Sequence, residues 1–418
     1  MKKSAVIMGA GDRGMYAYGR YSWENPEKLS IKAVAEPDPV KLKMMGDRLG
    51  IDEKFRFSTW EDLLNEGKIA DGAIIAMMDD LHVEPSVKAM ELGYDILLEK
   101  PMDRTLKGSM EIYEASRKYD KKVMVAHVLR YTDFYRKLRE VMHSGIIGTV
   151  KGIEHKENIG YYHMGHSFVR GNWRNSEMSS PIILAKSCHD MDLLYWLTGK
   201  KCLSLSSYGR LSHFNKENKP LNSSDRCLTC AIENECPYSA KKLYLTDNDG
   251  WPVSVITTDL SEEGRIKALT EGPYGRCVYD CDNDVMDHQV VSMEFEDDVF
   301  ATFTLSAFTA ENTRTTVIFG TKGELRAHLG KKEIELAEFG KEPRKIDIEA
   351  IFTGGHSGGD YGIMESFTAM IGDDNYSDDF TSAGASLESH LMCFAAEESR
   401  KNDGEKIDMQ KYRKGTGK

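Results

Sequence analysis

Between residues 4 and 127 the chain alternates short apolar runs with amphipathic stretches, and that rhythm leaves few architectures open. Strands are expected at Ser4–Met8, Ser30–Ala35, Gly72–Met77, Asp95–Leu98 and Lys122–Ala126, with helices such as Pro85–Leu92 and Leu106–Tyr119 between them. Strand–helix alternation implies a parallel, doubly wound sheet, which binds ligands at the carboxyl ends of its strands. The first strand runs into Gly9-Ala10-Gly11-Asp12-Arg13-Gly14. In this glycine pattern Gly9 permits a tight turn, Gly11 lets backbone approach a pyrophosphate, and Gly14 allows close helix–sheet packing. The following helix N-terminus, with Asp12 and Arg13, would face the phosphates. Glu36 ends the next strand, where a carboxylate binds ribose hydroxyls and repels a 2′-phosphate. The segment Glu36-Pro37-Asp38 holds no arginine, so NAD is expected in preference to NADP.

After residue 148 the rhythm changes. Strand-like runs at 148–160, 203–214, 290–295, 299–307, 314–319 and 333–339 follow with few helices between them, and Glu296-Asp297-Asp298 reads as a hairpin turn. This predicts an α+β domain with a mostly antiparallel open sheet. The expected fold is therefore α/β: a Rossmann domain over 1–127, then a substrate and oligomerisation domain over 128–418. Ser180 as N-cap, Pro181 at N1 and Gly199 as a stop predict one helix through Leu197. Ser386–Arg400 predicts a last helix that packs back on the body.

Charge narrows the partners. The 418 residues carry 67 acidic and 55 basic side chains, a net charge of -12. That balance argues against nucleic acid or an anionic membrane as partner. No apolar run is long enough for a membrane span, and the first strand follows Met1-Lys2-Lys3 directly, leaving no room for a signal sequence. A cytoplasmic protein is the expectation, with an open sheet face suited to a homo-oligomer, dimer or tetramer.

Several landmarks carry chemistry: Ala76-Met77-Met78-Asp79-Asp80-Leu81-His82, Leu98-Glu99-Lys100-Pro101, Ser144-Gly145-Ile146-Ile147-Gly148 and His189-Asp190-Met191-Asp192-Leu193-Leu194. Together with the glycine turn, and in this order, they make the chain resemble the Gfo/Idh/MocA family of NAD(P)-dependent oxidoreductases, which includes glucose–fructose oxidoreductase and inositol dehydrogenase. The resemblance implies that Glu99-Lys100-Pro101 lies where nicotinamide meets substrate, commonly with a cis bond before Pro101. It implies that Lys100 binds the reacting hydroxyl and that His189 is the general acid/base. Met77, Asp79 and His82 would border the nicotinamide, and His127, Arg130 and Tyr131 the substrate. In one respect the chain departs from the family, which usually has an Asp four residues before this His. Here Ala185 stands there, followed by Lys186. On a continuous helix Lys186, His189 and Asp190 would share a face, so Lys186 either takes part in proton transfer or substrate binding, or simply pairs with Asp190.

Tyr162, His163, Trp173 and Arg174 form an aromatic and polar stretch suited to a polyol. The loop from His356 to Asp360 could close over it. The cysteines Cys227, Cys230, Cys236, Cys277 and Cys281 fall in a polar insert at about 215–285, where they either form a structural zinc site, or less readily an iron–sulfur cluster, or stand as free thiols or a disulfide. The expected function is an NAD-dependent oxidation of a sugar, sugar acid or cyclitol hydroxyl. An NAD-dependent glycosidase using transient oxidation is the first alternative, and a non-enzymatic NAD-binding sensor the second.

Overall fold

A computed structural model describes residues 2–352, 354–373, 375–376 and 380–415. The first sheet contains β1 (Lys3–Met8), β2 (Leu29–Ala35), β3 (Arg56–Phe57), β4 (Gly72–Ile75), β5 (Asp95–Leu98) and β6 (Val123–Val125). Their order is β3-β2-β1-β4-β5-β6, and every pair is parallel. This is the doubly wound arrangement expected of strands that read as unbroken apolar runs and are covered on both faces. β4, β5 and β6 are buried along their whole length. Gly9, Glu36, Met77, Lys100 and His127 all lie just beyond carboxyl ends of these strands.

The second sheet contains β7 (Val150–Asn158), β8 (Cys202–Arg210), β9 (His288–Phe295), β10 (Val299–Ser306), β11 (Thr313–Gly320), β12 (Gly323–His328), β13 (Glu333–Glu338), β14 (Arg344–Ile346) and β15 (Ile407–Asp408). It is open and mixed, ordered β14-β13-β12-β11-β7-β10-β9-β8-β15. All its pairs are antiparallel except β7 with β10. Asp297 and Asp298 turn β9 into β10 with left-handed φ values of 58° and 56°. Short aspartates tolerate that region better than larger side chains do. The helix Ala383–Lys401 packs back against helices Cys188–Thr198 and Leu106–Lys118.

One expectation fails at a point that matters. The helix foreseen from Pro181 to Leu197 is two helices, Ile182–Ala185 and Cys188–Thr198. Pro181 is the N-cap of the first rather than its N1 residue, and the chain breaks at Lys186 and Ser187. Lys186 therefore does not share a helix face with His189 and Asp190.

The insert forms its own small core of Cys227, Ala240, Tyr244, Val253, Leu269 and Tyr274. It lies against the mouth of the cleft through Trp251, whose ring meets His163 at 4.9 Å and His166 at 5.3 Å.

Candidate active site

The glycine turn is built as its sequence requires. Gly9 has φ +100°, and a Cβ there would lie 2.4 Å from the Ala76 carbonyl oxygen. A Cβ on Gly14 would lie 1.9 Å from the Gly9 oxygen, so neither position accepts another residue without backbone movement. Gly11 is different: a Cβ there meets nothing within 4 Å. Its freedom is needed by whatever approaches the turn rather than by the fold. Glu36 Oε2 accepts from the Ala10 N–H at 2.6 Å, which ties the end of β2 to the turn.

Arg13 leaves this turn and crosses to the other side of the cleft. It donates to Glu99 at 2.6 Å, pairs with Asp360 at 2.9 Å and lies over the Tyr18 ring. Tyr18 also donates to Glu99. Burial would raise the Glu99 carboxyl, but Arg13 and Lys100 outweigh it and hold the group below the usual carboxylate range. Arg13 is thus a strut between the turn and the 354–360 loop, and its charge is already matched. Burial raises the neighbouring Asp12 carboxyl.

Lys100 follows β5 and precedes Pro101 through a cis peptide bond. Its Nζ donates to the Ala185 carbonyl oxygen at 2.8 Å. The break at Lys186 and Ser187 leaves that oxygen available. A backbone carbonyl therefore holds the lysine from the position where the family usually has an Asp side chain. His82 braces the same region from below, with Nδ1 2.8 Å from the Pro101 oxygen and Nε2 3.2 Å from the Met77 oxygen. Asp79 accepts from Ser179 Oγ at 3.1 Å.

His189 is buried, and its Nδ1 has no hydrogen-bond partner among the described residues. Burial holds this imidazole well below the usual histidine range, and Lys100 and His127 push it the same way. The ring is therefore neutral at pH 7. The His127 ring stands 5.7 Å from it, is likewise without partners on both nitrogens, and is lowered by burial, then by Arg130 and Lys100. The His356 ring lies 6.3 Å from His189 on the other side, with Nδ1 3.0 Å from Asp360. His163, lowered by burial and by Lys186, donates from Nδ1 to Asn312 Oδ1 at 3.2 Å.

Other residues expected at the substrate turn out to hold the walls. Arg130 forms a two-pronged pair with Asp192 at 2.6 and 2.5 Å, and Tyr131 bonds Thr381 at 3.1 Å. Both oxygens of Asp190 are occupied: Arg314 reaches them at 2.6 and 3.3 Å, and His155 lies 2.9 Å from one. Burial would raise Asp190, yet these partners hold it near about 2. Lys186 pairs with Glu157 at 3.5 Å rather than with Asp190, and burial lowers its pKa. Arg174 spends its guanidinium on Asp282 at 2.8 Å, and Trp173 packs against the core of the second domain. Tyr162 remains at the mouth, 6.5 Å from Trp251. Asp192, His155, Glu157 and Arg314 were not among the expected site residues, although Asp192 lies in the quoted His189-to-Leu194 run.

The expected zinc set is not assembled. Among the described residues no group of three or more His, Cys, Asp and Glu side chains is arranged to hold a metal ion. Cys281 faces the Cys277 carbonyl oxygen at 3.2 Å.

Residues 3–127 match the family model described as "Oxidoreductase family, NAD-binding Rossmann fold", and residues 139–403 match the C-terminal α/β domain of the same family, Gfo/Idh/MocA. The chain belongs to this family. A relative named as an oxidoreductase, YteT of Bacillus subtilis (strain 168), is 28% identical over 385 residues, covering 87% of this chain and 88% of that protein. An inositol 2-dehydrogenase of Corynebacterium glutamicum is 26% identical over 204 residues, 48% of this chain and 55% of the relative. Among solved structures, levoglucosan dehydrogenase in complex with NADH and levoglucosan superposes with a TM-score of 0.73 at 16% identity, over 98% of this chain and 100% of that one. An inositol dehydrogenase homologue from Azotobacter vinelandii, complexed with NAD+, gives 0.70 at 12% identity, covering 98% and 97%. These structures share the fold. As a Gfo/Idh/MocA oxidoreductase the chain has a Rossmann domain of the NAD-binding type, and no described helix is long and apolar enough to cross a membrane.

Proposed function

We propose that this enzyme oxidises a secondary hydroxyl of a neutral sugar or cyclitol with NAD, acting in the cytoplasm as a homo-oligomer. The single observation that carries the reading is the pairing of an anchored Lys100 ammonium with a buried, unpartnered His189 nitrogen beside the carboxyl end of β5. Lys100 donates to the reacting hydroxyl oxygen and stabilises the negative charge that grows there. His189, neutral at pH 7, takes the hydroxyl proton at Nδ1. NAD, when bound over Gly11 and beside Glu36, supplies the hydride acceptor. The Glu36 carboxylate at the ribose end, with no nearby arginine in its segment, supports NAD over NADP. Trp251, Tyr162 and His163 at the mouth offer apolar faces and polar edges to a ring with several hydroxyls.

Lys186 bears on substrate charge. Its positive charge is matched by Glu157, and that of Arg314 by Asp190, so this wall presents no spare cation to a carboxylate. This supports a neutral substrate and gives Lys186 a supporting place beside the base. The test is a thermal-shift screen with NAD over neutral sugars, inositols, uronates and aryl glycosides, followed by NADH assays on the binders. Lys100→Met and His189→Asn should each lower kcat about 10²- to 10⁴-fold with NAD binding retained. Stabilisation by uronates alone would overturn the neutral-substrate reading. Cleavage of a glycoside without NADH accumulation would replace dehydrogenation by the redox-neutral chemistry. Unchanged activity and ligand response in both variants would leave only a sensor.

A further inference from the structure

The insert contains a partly enclosed cavity that the redox site does not use. It is lined by Cys227, Cys230, Cys236 and Cys277, with Arg170 beside them and with Glu233, whose carboxylate pairs with Lys241 at 3.5 Å. The chain brings these thiols together by short-range structure. Cys227 and Cys230 sit at either end of one tight helical turn, Cys227–Thr229. Cys236 closes the next turn, its N–H donating to Ile232 and Glu233. A β-bridge between Arg226 and Arg276, together with the Cys277 N–H donating to the Asp225 oxygen at 2.8 Å, sets Cys277 beside Cys227.

Two observations say what the cavity is for. The first is its size. It has about 20 Å³ in which the centre of a water-sized sphere can move. A single zinc draws its four sulfurs to about 2.3 Å from one point, which leaves no room there for a sphere of about 1.4 Å radius. The thiols are spread around a larger object. The second is Arg170. It is 1% exposed, and its described hydrogen bonds go to the oxygens of Arg276 and Tyr238 and to Cys227 Sγ at 3.4 Å. A buried guanidinium held only by neutral groups is costly unless negative charge arrives beside it.

We propose that Cys227, Cys230, Cys236 and Cys277 ligate a [4Fe–4S] cluster whose negative charge is balanced by Arg170. Four cysteine thiolates are the ligand set such clusters take, and the Cys-x₂-Cys pair with a later Cys-Pro, here Cys236-Pro237, is familiar from them. Loading exchanges four S–H bonds for four Fe–S bonds and releases four protons, with no change of oxidation state in the protein. The cluster staples the 227–236 turns to residue 277 and, through Arg170, to the segment Met164–Arg170 behind the substrate mouth.

The test is to purify the full chain without oxygen, incubate it with Fe³⁺, sulfide and excess thiol, in which the thiol reduces half of the incorporated iron, desalt it, and measure iron, acid-labile sulfide and zinc per chain. The expected result is about four iron and four sulfide, with visible absorption that dithionite bleaches. Cys230→Ser should lose this chromophore, and Cys281→Ser should keep it. About one zinc per chain without iron, or a protein that keeps no metal after this treatment, overturns the proposal. So does a Cys281→Ser variant that loses the cluster while Cys230→Ser retains it.

Discussion

The redox cleft and the thiol cavity treat buried charge in opposite ways. Around the cleft most buried carboxylates have a cation: Glu99 has Arg13, Asp190 and Glu157 share Arg314, and Asp192 has Arg130, while Asp79 and Glu36 accept from neutral donors. Both ring nitrogens of His127 and Nδ1 of His189, neutral groups, have no hydrogen-bond partner among the described residues. At the thiol cavity the described hydrogen bonds of the buried Arg170 guanidinium go to neutral groups, and the one carboxylate among the lining residues, Glu233, pairs with Lys241 instead. The difference is one of matching: the cleft pairs most of its buried carboxylates with cations, whereas the cavity keeps a buried guanidinium on neutral partners.

The largest expected effect probes that contrast directly. Arg314→Met leaves two buried carboxylates with one weaker partner each, Lys186 for Glu157 and His155 for Asp190, and should cost about 3–5 kcal/mol in urea unfolding. Arg170→Met in the metal-free protein strands only carbonyls and should cost about 1–3 kcal/mol. Equal losses would break the comparison. Next is pH. Burial lowers His166 and His390 to about 3 against an unfolded value of 6.5. Below pH 6.5 the unfolded chain binds protons that the folded chain refuses, so stability falls as pH falls, by about 1.4 kcal/mol per unit for each histidine. Melting temperatures between pH 7 and pH 5 check the slope, and a flat profile would mean these rings charge in the fold. The smallest effect is at Ala185. Because Lys100 is held by the backbone oxygen, Ala185→Gly should cost about 1 kcal/mol and leave kcat essentially unchanged; a large drop in kcat would mean the side chain itself matters.

Much of the fold was legible because apolar runs and turn residues coincide along it. The five main strands of the parallel sheet and six of the antiparallel one stand where alternation placed them, give or take a few residues. Four strands escaped: Arg56–Phe57 and Ile407–Asp408 have two residues each, Arg344–Ile346 is a largely exposed edge strand, and Gly323–His328 lies inside the sheet directly after the turn that follows Gly320. The break after Ala185 was invisible because Lys186 and Ser187 are compatible with a helix, and it is tertiary context, not propensity, that interrupts it. The site divided in the same way. Gly9, Gly14, Glu36, Lys100 and His189 announce themselves through neighbours in sequence. Arg314, Glu157 and His155 do not, since each gains meaning only when strands 150 residues apart in number come together on Asp190.

The carbonyl that anchors Lys100 has a consequence for how such chains are compared. A signature written in side chains asks for an aspartate at position 185 and scores this chain as deficient. The anchor is encoded instead by where the helix stops, a property no column of aligned letters records. Enzymes that keep the break can exchange the residue freely and still hold the lysine.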